Sequence, residues 1–327
     1  MKSILIFTGV LLSLVSCSSS NKLTYNANLD NYPYPHKVEK IELNTQKQKL
    51  KMAYMYIRKD GAQKTAVLLH GKNFSGYYWN DVANLLLNKG YNVLIPDQIG
   101  FGKSDKPEHY QYSFAGLALN TKTLLEHLKI KNITLVGHSM GGMLATHFTK
   151  IYPTTVDKLI LINPIGLEDY LQYTQFKDTE FFYKSEMAKT PEKIREYQKK
   201  NYYDGKWSPK YEELIQTGIG QLNSSDWSRV AWNNALTYGP IFSEPVVDDF
   251  RVIKNPVTLI LGTRDRTGPG RGFMKKGIKH ELGQYQLFGK KITKLLRNGK
   301  YIELKGLGHM PQIEDFNRFK IVFLKEI

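Results

Sequence analysis

The chain has 327 residues, 41% of them apolar, which is enough for one large α/β domain with a substantial core and too apolar for a disordered protein. Lys and Arg number 46 against 30 Asp and Glu, a formal net charge of +16 that raises the question of an acidic partner, yet the cations are scattered among glutamates and no recognition motif for nucleic acid is present. One cysteine excludes internal disulfides and thiolate metal sites, and no histidines stand at metal-ligand spacing, so neither a metal nor a cofactor is expected.

The first residues read as a processing leader. Lys2 precedes the apolar run ILIFTGVLLSLV, which is too short for the about 20 residues of a membrane span, and SCSSSNK ends it abruptly. The ending LVSC resembles the lipobox of bacterial lipoproteins. That resemblance implies removal of residues 1–16, lipidation of Cys17, and a domain held to a membrane of the cell envelope outside the cytoplasm. Residues 17–37, polar with two prolines, read as a tether.

From residue 38 the patterned chain begins. VEKIEL and LKMAYMYI, separated by polar residues, predict an antiparallel hairpin. TAVLLH, YNVLIPD, NITLVG, DKLILIN and PVTLILG follow as short β runs, with helical spacing at residues 82–89, 117–129 and 140–151 between them. This alternation predicts an α/β fold with a mostly parallel central sheet and helices on both faces. YIELKG is the last strand and residues 313–325 a closing helix. Between residues 166 and 249 helical segments follow one another with no strand, which predicts an inserted helical cap with NSSDW and YGP as its turns. The core is then residues 38–165 and 250–327.

ITLVGHSMGGMLAT, residues 133–146, sets one serine at the corner where a strand becomes a helix. Gly137, Ser139 and Gly141, with Gly142 next, match Gly-x-Ser-x-Gly. A sharp strand-to-helix turn crowds residues two positions either side of the serine, and glycine there removes the Cβ clash. The N–H of Met140 opens the helix, whose positive end faces any developing oxyanion.

Around this corner the chain resembles the α/β-hydrolase family. LLHGKNFSGYYW resembles its His-Gly loop, PDQIGFGKSDKP the loop after the next strand, GHSMGG the nucleophile elbow, LGTRDRT the acid turn and GLGHMPQIE the histidine loop. The two early loops look most like the epoxide hydrolase and haloalkane dehalogenase branch, which carries aspartate at the elbow; Ser139 departs from it and favours ester or amide hydrolysis. A serine hydroxyl needs a base, and the base an orienting acid. Ser139, Asp265 and His309 stand in the order that the α/β-hydrolase triad follows, and all three are expected to be catalytic. The resemblance also implies that the second oxyanion N–H belongs to Lys72, after His70-Gly71. His138 is expected to pack under the elbow and His70 to brace the loop that follows it. GFGKSD and GPGRGF lack the spacing and the flanking elements of nucleotide loops.

The expected activity is a serine esterase acting on a small-molecule acyl substrate. An aminopeptidase-like amide hydrolase, a thioesterase, or a catalytically weak ligand receptor on the same fold are the alternatives. A peptidase would want a cap carboxylate for the amine, and Glu168, Asp169, Glu180 and Glu186 are available. Of the cap aromatics, Trp207, Trp227, Trp232 and Phe181 are the candidates for lining an apolar substrate cleft. No obligate protein partner is inferred. Residues 271–300 carry nine cations against the single acid Glu281, and a helical reading puts several on one face that could meet anionic lipid.

Overall fold

The computed structural model describes residues 22–327, so the expected leader and Cys17 lie outside the described residues. β1 (Val38–Thr45) and β2 (Gln48–Ile57) form an antiparallel hairpin closed by Gln46 and Lys47, both at positive φ as a two-residue turn of the favoured hand requires. β3 (Lys64–Leu69), β4 (Tyr91–Pro96), β5 (Ile133–His138), β6 (Val156–Ile162), β7 (Val257–Gly262) and β8 (Gly299–Leu304) complete one eight-stranded sheet in the order β1-β2-β4-β3-β5-β6-β7-β8. β2 runs antiparallel to both neighbours, and every later pairing is parallel.

The continuous apolar runs are legible as parallel strands because both faces of the sheet are covered. Side chains alternate between two cores. Val67, Leu69, Leu135, Leu159 and Leu261 face one, packed by helices Phe114–His127, Met140–Ile151 and Tyr285–Thr293, whereas Ala66, Leu68, Val136, Ile160 and Ile260 face the other, under helices Asn80–Asn88 and Phe316–Phe323. Strands β5, β6 and β7 end at one edge of this sandwich, and their C-terminal loops converge there.

Between β6 and β7 the chain runs through helices Tyr170–Tyr173, Thr179–Met187, Pro191–Asn201, Pro209–Leu222, Trp227–Leu236 and Tyr238–Ser243. YGP is not a turn: Tyr238 starts a helix, and Pro240 falls in its first turn, where no N–H is needed. The closing helix is interrupted at Asp315, which leaves helical geometry and caps the second piece through the Arg318 N–H. The basic stretch is not one helical face either. Only Arg271–Phe273 and Tyr285–Thr293 are helical, Gly277 and Gly283 sit at positive φ between them, and the Lys275 ammonium is spent on the Leu171 carbonyl.

The part of the expected tether that is described, residues 22–37, is laid against the body instead. Tyr25 donates its N–H to the Gly220 carbonyl at 2.9 Å, and its ring fills the space a side chain at Gly220 would need. Ala27 and Leu29 are buried, Gln221 donates to the Ala27 carbonyl, and Lys103 Nζ to that of Leu29. Polar composition hid this because the docking is mostly by backbone groups.

Candidate active site

Ser139 joins β5 to helix Met140–Ile151 at φ 55° and ψ −123°, a conformation that costs on the order of 1–3 kcal/mol for a residue with a Cβ. Its neighbours enforce it. The Ser139 N–H donates to the Ile162 carbonyl at 3.3 Å, and its own carbonyl accepts from Gly142 at 2.9 Å and Ile165 at 3.2 Å. A Cβ on Gly137 would lie 2.3 Å from the Gly141 carbonyl oxygen, and one on Gly141 would lie 2.3 Å from that of Leu69, so the corner closes only around glycine.

The serine hydroxyl is 2.9 Å from His309 Nε2, and His309 Nδ1 is 2.7 Å from Asp265 Oδ2. All three residues are buried. Asp265 follows β7. Its Oδ2 also accepts from the Asn163 amide at 2.7 Å and its Oδ1 from the Thr267 N–H at 2.7 Å. Burial would raise this carboxyl, but the His309 ring and these donors outweigh it and hold Asp265 below its ordinary range. Asn163 ends β6 at φ 39° and is itself fixed by the Gly262 N–H, 3.0 Å from its amide oxygen.

A neutral relay sits underneath. Gly71 donates its N–H to the Tyr78 hydroxyl, the hydroxyl lies 3.0 Å from His138 Nδ1, and His138 Nε2 is 2.9 Å from the His309 carbonyl. A carbonyl only accepts, so Nε2 carries the hydrogen and Nδ1 takes that of Tyr78. Burial, with His309 beside it, pushes His138 down to about 3. His70 is also buried: its Nε2 accepts the Gln98 N–H at 3.0 Å, and its Nδ1 donates to the Gly71 carbonyl at 2.9 Å. The two histidines tie the loop after β3 to those after β4 and β8.

Met140 is the first residue of its helix, so its N–H has no carbonyl within that helix to meet. The Lys72 N–H likewise has no acceptor among the described residues. Gly71, one residue earlier, packs against the serine: a Cβ there would be 3.1 Å from that of Ser139. Each of these N–H groups is thus unspent, one on the residue after Ser139 and the other on the residue after Gly71. The Lys72 side chain runs to 3.7 Å from Glu186 and over the Tyr238 ring at 4.1 Å.

A cavity of about 440 Å³ opens between the loops after β3 and β4 and the cap. Lys72 and Asn73 line it, whereas Ser139, Asp265 and His309 do not, and Ser139 is 7% exposed. Tyr202 of the cap lies over the His309 ring at 4.8 Å and takes a hydrogen bond from Asn73 at 3.1 Å. Of the four aromatic residues expected to line a substrate cleft, Trp227 lines this cavity and three do not. Trp207 stacks near Tyr203 and Tyr211 with its indole N–H on Glu212, Trp232 donates to the Glu108 carbonyl from the surface, and Phe181 packs its exposed ring on Phe182 and Phe273.

Of the cap acids, Glu180 pairs with Lys184 at the surface, Asp169 bonds Gln172, and Glu168 is buried on His280 and the Gly283 N–H. Glu186 does not itself line the cavity; it is held at 2.5 Å by Lys189, which does. Asn163 and Tyr202 escaped the sequence reading; the one available signal was a polar residue closing an apolar strand at LILIN.

A family model described as alpha/beta hydrolase fold matches residues 65–271. A probable hydrolytic enzyme from Pseudomonas aeruginosa PAO1, known from its crystal structure, is 37% identical with a TM-score of 0.91, over 94% of this chain and 99% of that one. A Mycoplasma pneumoniae protein named "Putative esterase/lipase 3" is 26% identical over 274 residues, 77% of this chain and 92% of its own. An uncharacterized protein of Mycobacterium bovis is 38% identical over 107 residues, 33% of this chain, and the match spans only 31% of that relative's length. The matched span, the sheet order and the strand-to-helix serine corner together place the chain in the alpha/beta hydrolase fold family.

Proposed function

We propose that the protein is a serine hydrolase that cleaves a carboxylic ester through an acyl-enzyme on Ser139. The observation that carries this reading is the unbroken line from Ser139 Oγ through His309 to Asp265, at 2.9 and 2.7 Å. The Asp265 carboxylate keeps the hydrogen on Nδ1, which leaves Nε2 free to accept the serine proton. Oγ then bonds to the carbonyl carbon while its proton passes to Nε2. The carbonyl oxygen takes the charge between the Met140 and Lys72 N–H groups, and the alkoxide departs with the proton from Nε2. Water, deprotonated by the same nitrogen, repeats the sequence and releases the acid.

The esterase/lipase name of the Mycoplasma pneumoniae relative supports an ester. The engagement of Glu186 by Lys189 and Lys72 weighs against an amine-binding peptidase, because its charge is already met. Treatment with a fluorophosphonate followed by peptide mapping tests the reading. Labelling at Ser139 with turnover of 4-nitrophenyl esters is expected, and an unlabelled serine with no turnover would leave a ligand receptor. The leader belongs to the same proposal, supported by LVSC alone: radiolabelled palmitate should be incorporated by whole cells and lost in Cys17→Ala.

A further inference from the structure

The cavity wall is unevenly charged. Lys72, Lys106, Lys189 and Lys193 all line it, and no acidic residue does among the described residues. Three of the four ammonium groups have acceptors: Lys106 bonds the Gly102 and Ser104 carbonyls, Lys193 that of Ala188, and Lys189 the Glu186 carboxylate. Lys72 does not. Its Nζ is buried without a hydrogen-bond partner, 3.7 Å from a carboxylate that Lys189 already holds at 2.5 Å. Two cations against one anion leave this cluster with an excess positive charge, with Lys72 and Glu186 withdrawn from water and Lys189 partly exposed.

Such an arrangement works against folding. A buried ammonium whose three donors go unmet destabilises the fold, and a methionine would fill the same space without that cost. The Tyr238 ring recovers only part of it. A bound anion would recover the rest, and Lys72 lines the cavity through which one would reach it. Phe74, Ile194, Ile215, Trp227 and Val230 give the wall an apolar part beside neutral polar residues such as Gln198 and Asn234. Lys72 lines the cavity and directly follows Gly71, where a Cβ would be 3.1 Å from that of Ser139, so a ligand held by Nζ lies about one residue and one lysine stem from the reacting hydroxyl.

Resting on the serine-hydrolase reading, we propose that the substrate is an ester with an apolar body and an anionic group, carboxylate or phosphate, that binds Lys72 Nζ. Lys189 supplies the second positive charge. Glu186 positions both lysines and prevents their mutual repulsion from opening the cavity.

Five probes on the native protein test it: 4-nitrophenyl hexanoate, its ω-carboxylate and ω-phosphate counterparts, and ethyl butyrate against 2-carboxyethyl butyrate for an anion on the alcohol side. At least one anionic probe should exceed its neutral partner in kcat/KM by about tenfold or more, and whether the carboxylate or the phosphate leads names the source. Lys72→Met should abolish the excess, and Lys72→Arg should retain most of it. Reading the ratio rather than the rate removes any general loss from the variant, and the wild-type ratios stand even if Lys72→Met does not fold. Anionic probes no faster than neutral ones, or an excess that survives Lys72→Met, would overturn the proposal. Fluorophosphonate labelling of Ser139 in the same preparation separates that outcome from failure of the serine-hydrolase reading, in which the label itself is absent.

Discussion

The triad and the cavity beside it settle their charges in opposite ways. At the triad, Asp265 accepts from His309, Asn163 and Thr267, and the neutral His138 and His70 are satisfied on both ring nitrogens. In the cavity, Lys72 keeps a buried ammonium without an acceptor and Glu186 is shared between two cations. The difference teaches which groups the fold holds still and which it leaves for a ligand: a fully bonded network fixes geometry, whereas an unmet charge creates binding capacity.

The comparison breaks most severely at the serine itself. Ser139→Ala or His309→Asn should lower kcat by on the order of 10³ to 10⁶ while the melting temperature changes little. Steady-state kinetics on a chromogenic ester beside a thermal melt checks this, and a large loss of melting temperature would mean that the triad acts as scaffold. Next in size, Gly137→Ala should destabilise the whole domain by about 3 kcal/mol or prevent folding, because the new Cβ would meet the Gly141 carbonyl at 2.3 Å and the Ala145 Cβ at 2.8 Å, neither of which can swing aside. Urea unfolding measures it.

Acid tests the neutral relay. His138 stays uncharged in the fold down to about pH 3 but takes a proton in the unfolded chain near its ordinary value of about 6.5. The unfolded state therefore binds more protons, and stability should fall as pH drops from about 6.5 toward 3, by on the order of a few kcal/mol. His70, also lowered by burial, acts in the same direction. The urea midpoint followed against pH should show this loss, and His138→Gln should flatten it. A midpoint independent of pH over that window would contradict the relay. The smallest effect separates aromatic residues of the cavity from those of the cap surface. Trp227→Ala should alter the preference among acyl chain lengths by about fivefold to tenfold, and Trp232→Ala should leave it unchanged. Equal shifts from both would assign the rings to cap packing alone.

Much of this organisation is written in local pattern. The elbow was legible because its glycines answer a steric demand within a few residues, and the helix Met140–Ile151 begins and ends where its spacing says. Asp265 was legible as a turn residue after the strand PVTLILG and His309 as the histidine between Gly308 and Met310 after YIELKG, both in the order of the α/β-hydrolase resemblance. Asn163 was not, since its role depends on a bond to a residue far along the chain, Asp265. The aromatic assignment failed for Trp207, Trp232 and Phe181 because composition gives a cap its rings but not the direction each faces.

By itself, then, the amino-acid sequence determined the strands, most helices, the serine corner and the order of the three triad residues, all properties of period and short-range sterics. Only the tertiary structure decided that residues 22–37 lie against the cap and the loops after β3 and β4, that Tyr202 covers His309, and that Lys72 lines a cavity together with three other lysines. These depend on contacts between segments remote in the chain, where burial and unmet hydrogen bonds, rather than local preference, set the energy.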